Sequence, residues 1–193
     1  MKIFGLAGKK RTGKDTVFTY ARDLVDGQAG RVAFGDPLKR EVAAATGMPL
    51  AFIEANKSEF RTVLQWWGTE FRRQFFQPDY WIKQMAEEVR VMQRVIDVLF
   101  ITDVRFPNEA DWVRSMGGVM VRVDRKTGET DNHSTETEMD AYKNYDHTIE
   151  NNGTMPELGS AVGAMLRKFL PSGDGEESEK ETYTKKENEY VLI

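Results

Sequence analysis

The sequence predicts an α/β fold, a five-stranded and mostly parallel sheet flanked by helices. Three observations point there. Apolar runs of strand length alternate with stretches of helical periodicity over residues 1–170, the pattern of parallel sheets with crossover helices. The first apolar run, residues 3–7, leads through a glycine-bearing turn into a helical pattern carried by Val17, Phe18, Tyr20, Ala21 and Leu24. The run 96–102 is almost continuously apolar, as expected for a strand covered on both faces.

The turn after the first strand reads Gly8-Lys9-Lys10-Arg11-Thr12-Gly13-Lys14-Asp15-Thr16. Its G-x4-G-K spacing, between a strand and a helix, is that of a phosphate-binding loop (P-loop). Gly8 and Gly13 permit backbone angles that turn successive N–H groups inward, and the helix opening near Lys14 points its positive end at the same spot. Lys14 adds a full charge. The usual pattern places Ser or Thr next, to hold Mg²⁺, and this chain has Asp15 there, with Thr16 one place on. Asp15 could bind the metal directly, bind it through water, or only cap the helix.

The later elements follow in order. Residues 31–34 are expected as a second strand, and Asp36-Pro37 as N-cap and first residue of a helix stopped by Gly47 and Pro49. Asp36 is therefore both a cap candidate and a site candidate, since open α/β sheets place ligands at strand carboxyl ends. Residues 50–94 read as helical, with breaks near Gly68 and Pro78. Leu64, Trp67, Phe71 and Phe75 are expected as its buried stripe. Gln65, Arg72 and Arg73 are candidates for an acceptor site and lid, against the plain reading of a solvated face.

The strand 96–102 ends in Asp103-Val104-Arg105, where a carboxylate following a phosphate loop commonly holds Mg²⁺ through water. A fourth strand is expected over 119–123 and a fifth over 147–149, then a final amphipathic helix over 154–170. Between them, His133 is open to acid–base work, while residues 134–138 also read as a helix cap. Beyond Pro171 the chain is Gly-, Glu- and Lys-rich and is expected to be a disordered acidic tail. One domain over 1–170 results, with its helical segment at about 50–94.

Composition narrows the function classes. The chain has 193 residues, 40% hydrophobic and 30% charged, with two His and no Cys. Disulfides and thiolate metal sites are excluded and a structural zinc site is not expected. A net charge of −4 argues against a dedicated nucleic-acid binder. No apolar run approaches membrane-spanning length and the chain opens on a strand rather than a signal peptide, so a cytoplasmic protein with no membrane partner is expected.

Together these residues resemble the bacteriophage deoxynucleoside monophosphate kinases, within the P-loop nucleoside monophosphate kinase fold. The likeness rests on G-x-K-R-[ST]-G-K-D-T, met by Gly8 and Lys10 to Thr16; on Leu64-Gln65 with Gly68-Thr69; on Tyr80-Trp81; on D-x-R at Asp103 and Arg105; and on H-x-[ST]-E at His133, Thr135 and Glu136. It implies phosphoryl transfer from ATP to a deoxynucleoside 5′-monophosphate with Mg²⁺, in the host cytoplasm if phage-encoded. It would set Gly8, Lys10, Arg11, Thr12, Gly13, Lys14, Asp15, Thr16 and Arg125 at ATP, and Asp15, Thr16 or Asp103 at the metal. Asp36, Lys39, Gln65, Trp66, Thr69, Arg72, Arg73, Arg105, His133 and Glu136 would face the acceptor, with Lys14, Arg11, Arg105 and Arg72 nearest the transferred group. Two other readings stay open: a kinase acting on a hydroxyl, such as a dephospho-coenzyme-A kinase with Asp36 as base, and a non-catalytic nucleotide-binding module. A homodimer is also left open.

Overall fold

A computed structural model describes residues 1–126 and 133–170. The five strands are β1 (Lys2–Ala7), β2 (Ala29–Val32), β3 (Val98–Val104), β4 (Val119–Asp124) and β5 (His147–Glu150). They form one sheet in the order β2-β3-β1-β4-β5. Every pairing is parallel, so the sheet is parallel throughout rather than mostly so.

The strands sort their side chains by the period of two. Ile3 and Ala7 of β1, with Leu99 and Ile101 of β3, pack on one face against Trp81, Met85 and Val89 of α5 (Tyr80–Met92) and Ala110 and Val113 of α6 (Pro107–Ser115). Phe4 and Leu6, with Phe100, Val121 and Ile149, pack on the other against α1 (Lys14–Leu24) and α8 (Met155–Phe169). The rings of Phe4 and Phe100 stack at 5.1 Å. Each such buried side chain is worth about 1.5–3 kcal/mol of transfer free energy. α8 opens on a reciprocal cap in which Thr154 and Glu157 each accept from the other's backbone N–H, with Pro156 in its first turn.

Three boundaries differ from those the sequence suggests. β2 lies two residues earlier, which releases Ala33 and Phe34 to turn toward the next helix. That helix, α2 (Gly35–Thr46), takes Phe34 as its N-cap residue with no side-chain cap. Asp36 therefore lies inside the first turn and is not the cap; Asp103 holds the backbone N–H groups of Phe34 and Gly35 instead. β3 runs on to Val104 and includes Asp103.

The segment after α2 is helical, as its pattern requires, but in an unforeseen form. α3 (Leu50–Ala55) and α4 (Arg61–Gln65) are short, and α4 continues without a break into a π-helix, Trp66–Phe76. Gly68 is thus no breaker: it is buried within the π-helix beneath Leu38. The wider winding also rearranges the expected stripe. Phe75 is 79% exposed, while Gly68, Thr69 and Arg73 are the buried residues. These follow one another at the four- and five-residue steps of a π-helix. Among the described residues no helix is long and apolar enough to cross a membrane. The expected tail beyond residue 170 lies outside them.

Candidate active site

The carboxyl ends of β1, β2 and β3 open on a cleft of about 400 Å³, where parallel α/β sheets place their ligands. Nine Lys and Arg residues line it against five Asp and Glu. That surplus of positive charge, in a chain whose formal total is −4, marks an anion site.

The glycine-bearing loop forms one wall. Gly8 has φ +151°, and a Cβ there would stand 2.3 Å from the Val123 carbonyl oxygen. Gly13, the residue before α1, has φ +99°, and Arg11 adopts φ 62°. Two side chains pin this backbone. Thr12 donates to the Lys9 carbonyl at 3.0 Å, and the buried Asn151 amide donates to the Thr12 carbonyl at 2.8 Å. Lys14 is folded into the loop and donates to the carbonyls of Gly8 (2.6 Å) and Lys9 (2.7 Å). Burial, aided by the Arg105 charge, lowers its pKa to about 8.

The end of β3 and the short helix α7 (Ser134–Thr137) form the floor. Glu136 accepts from the Lys10 backbone N–H at 2.9 Å and from Arg105 at 2.5 Å, with Arg61 at 3.5 Å. Burial pushes its carboxyl up, but Arg105 and these donors outweigh it and the net direction is down. Arg105 also donates to the Thr135 carbonyl. Asp103 is driven up by burial, against the pull of Arg105 and the two amides it holds.

The opposite wall comes from α2, α4 and the π-helix. Leu64, Gln65, Gly68, Thr69 and Arg73 all face the cleft. The Gln65 amide nitrogen is buried without a hydrogen-bond partner. Arg73 ion-pairs with Glu109, lies 4.0 Å from the Phe106 ring centroid and donates to the Pro78 carbonyl. Glu109 in turn accepts from the backbone of Arg105 and Phe106. Asp36 is held by Lys39 (2.8 Å) and Arg31 (3.1 Å).

Lys10, Arg11, Lys14, Asp15, Asp36, Lys39, Gln65, Thr69, Arg73, Asp103, Arg105 and Glu136 are therefore brought together, as the sequence led one to expect. Eight candidates are absent from the cleft lining: Gly8, Thr12 and Gly13, which shape the loop behind it, and five others. Trp66 is 51% exposed and stacks on Phe71. Arg72 is turned to Glu41 and the rings of Phe71, Phe76 and Tyr80. His133 caps α7, accepting from the Thr135 N–H, with Glu70 at 3.3 Å. Thr16, in the first turn of α1, is half-buried, and Arg125 is exposed. In the other direction, Arg31, Lys57, Arg61, Thr102 and Glu109 line the cleft without having been singled out. Arg31 sits five residues before Asp36, and that charge spacing was the one available hint; Asn151, 139 residues from its partner, carried none.

The family model for deoxynucleotide monophosphate kinase matches residues 50–162. A putative deoxynucleotide monophosphate kinase of Acanthamoeba polyphaga mimivirus is 28% identical over 186 residues, covering 84% of this chain and 94% of that protein. A deoxynucleotide monophosphate kinase of Escherichia phage RB69 is 32% identical over 111 residues, covering 55% of this chain and 44% of that protein. Among solved structures, TT1252 from Thermus thermophilus superposes with a TM-score of 0.53 at 14% identity, covering 88% of this chain and 98% of that one. That last likeness is one of fold alone.

Proposed function

Because the chain belongs to the deoxynucleotide monophosphate kinase family, a family of transferases, we propose that this cleft transfers the γ-phosphoryl group of ATP to a deoxynucleoside 5′-monophosphate, supplying diphosphates for dNTP synthesis. The observation that carries the reading is the meeting of two walls in one cleft: the Lys14 loop on one side, and Gln65, Thr69 and Lys39 on the other. Arg105 and Arg61 line the same cleft, and both reach Glu136, which also holds the loop's Lys10 N–H.

An acceptor phosphate oxygen attacks the γ-phosphorus while the bond from that phosphorus to the β–γ bridging oxygen breaks, releasing ADP. The attacking oxygen is already anionic near neutral pH, so positioning and charge neutralisation suffice. The loop N–H groups and Lys14 receive the donor phosphates. Lys14 then exchanges the Gly8 and Lys9 carbonyls for phosphate oxygens, and the arriving charge raises its pKa again. Arg105 and Arg61 receive the transferred group, and Lys39 the acceptor phosphate. Gln65 offers its unpartnered N–H to the base.

Asp15 on the cleft rim and Asp103 at the end of β3 are the carboxylates that would hold Mg²⁺. No cluster of three His, Cys, Asp or Glu occurs among the described residues. Such a sparse donor set suits an ion held mainly by phosphate oxygens and water. When bound, Mg²⁺ supplies charge neutralisation on the donor.

A hydroxyl acceptor would require Asp36 as base. Burial works against its ionisation, but Lys39 and Arg31 prevail and the net direction of its pKa is down, which suits a group that orients cations. The test is Mg·ATP-dependent ADP release against ribo- and deoxyribonucleoside monophosphates and dephospho-coenzyme A, with Lys14→Ala as blank. Turnover with deoxynucleotides is expected. Turnover with dephospho-coenzyme A alone would reassign the acceptor, and silence throughout would end the kinase reading.

A further inference from the structure

Phosphate loops ordinarily follow their lysine with a Ser or Thr whose hydroxyl holds Mg²⁺, and here that place is taken by Asp15. The Asp15 side chain is 83% exposed, with Arg31 3.5 Å away. Thr16, the next hydroxyl along, does not line the cleft. The loop thus brings no hydroxyl of its own to the place where the metal of a bound nucleotide belongs.

A different hydroxyl is there. Thr102 of β3 is 2% exposed and lines the cleft. Its Oγ1 is buried with no hydrogen-bond partner. A buried hydroxyl left unsatisfied costs about 1–3 kcal/mol, and Val would fill the same space without that cost. β3 is otherwise apolar from Val98 to Ile101, so the strand's own packing gives no reason for a polar residue at this point. Its position does. β3 pairs with β1, the strand from which the loop springs, and Ala7 stands opposite Val104. Gly5 stands opposite Ile101, so β3 carries an extra residue here, and Thr102 and Asp103 share the level of Leu6, one residue short of the loop's take-off. The other buried unpartnered group lining the cleft is the Gln65 amide nitrogen, which cannot ligate a hard cation.

We propose that Thr102 supplies the hydroxyl of the Mg²⁺ site that the phosphate loop lacks, beside the Asp103 carboxylate, so that the metal site is divided between β1's loop and β3. The inference rests on the reading of the cleft as an ATP site, and the experiment separates the two. ATP dissociation constants are measured by calorimetry on the full chain, with Mg²⁺ and with EDTA, for wild type, Thr102→Val and Thr102→Ser. Mn²⁺ binding to the ATP complex is followed in parallel by electron paramagnetic resonance. In wild type and Thr102→Ser, Mg²⁺ tightens ATP binding. In Thr102→Val the affinity for Mn²⁺ in the ATP complex falls about ten- to hundredfold, ATP binding in EDTA is unchanged, and the ligand-free protein melts no lower than wild type.

Three results would overturn the proposal: a Thr102→Val protein with the full metal effect, one that loses ATP equally with and without metal, or one that melts markedly lower. Wild-type binding of ATP that is indifferent to Mg²⁺ would overturn it too while leaving the ATP site standing. Wild type that binds no ATP in EDTA or Mg²⁺ would bring down the ATP reading itself, and the proposal with it.

Discussion

The two walls of the cleft are specified in different ways. The donor wall is a matter of backbone: nine consecutive residues, two glycines at angles other residues resist, and carbonyls close enough to hold Lys14. The acceptor wall is a matter of side chains gathered by winding. Arg72 and Arg73 are neighbours in sequence, yet Arg73 is sealed against Glu109 and Arg72 lies outside on Glu41. A loop of fixed backbone announces itself as a local motif, whereas a helical wall depends on how many residues make a turn.

The largest expected effect tests that outward–inward division. Arg73→Ala leaves Glu109 buried without its counter-ion and costs about 3–5 kcal/mol. Arg72→Ala costs about 1 kcal/mol, because Glu41 keeps the donors Trp67 and Tyr80. Urea denaturation of the two variants gives the difference, and equal losses would erase the distinction. Glycines test the walls themselves. Gly8→Ala drives a methyl into the Val123 carbonyl at an unfavourable φ and costs about 3 kcal/mol or more. Gly68→Ala meets the end of Leu38 at 3.0 Å, a side chain able to shift, and costs under about 1 kcal/mol.

Proton linkage belongs to the donor wall. With its pKa lowered to about 8, Lys14 is neutral in the folded, empty protein above that pH while the unfolded chain still holds the proton, up to the ordinary lysine value of 10.5. The unfolded state therefore binds more protons in this window, and the stability of the empty protein rises with pH across it. ATP affinity moves oppositely: binding takes up a proton above pH 8, so it weakens by up to about tenfold per unit. Calorimetry at pH 7.5 and 9.5 reads this, and Lys14→Met removes the dependence. The smallest effect lies on the acceptor wall. Gln65→Leu raises the acceptor KM about tenfold, while Trp66→Leu leaves it within about twofold, as steady-state kinetics will show.

What the sequence made legible follows the same division. The loop, the five strands and the carboxylate at the end of β3 carried short-range signals, namely glycine spacing and continuous apolar runs. The helical character of residues 50–94 was legible, but an α-helical period was imposed on it, and the π-helical winding of Trp66–Phe76 moved Phe75 to the surface. Asp36 read as a cap because capping is judged from neighbours in sequence. The groups that hold this turn, the Asp103 oxygens, come from 68 and 69 residues away. Lys57, between two short helices, and Arg61, the first residue of the second, carried no pattern at all.

The Asn151 amide has a consequence in time. It stands just past β5, which leaves the ribosome after the other four described strands, and it closes on Thr12, made 139 residues earlier. Synthesis thus delivers the phosphate loop early and its fastener late. A nascent chain shorter than about 150 residues has the motif but not the pinned loop, and the empty nest of N–H groups and buried lysine must wait for the edge strand to dock. The pinned loop is a late product of folding, although its motif is made well before its fastener.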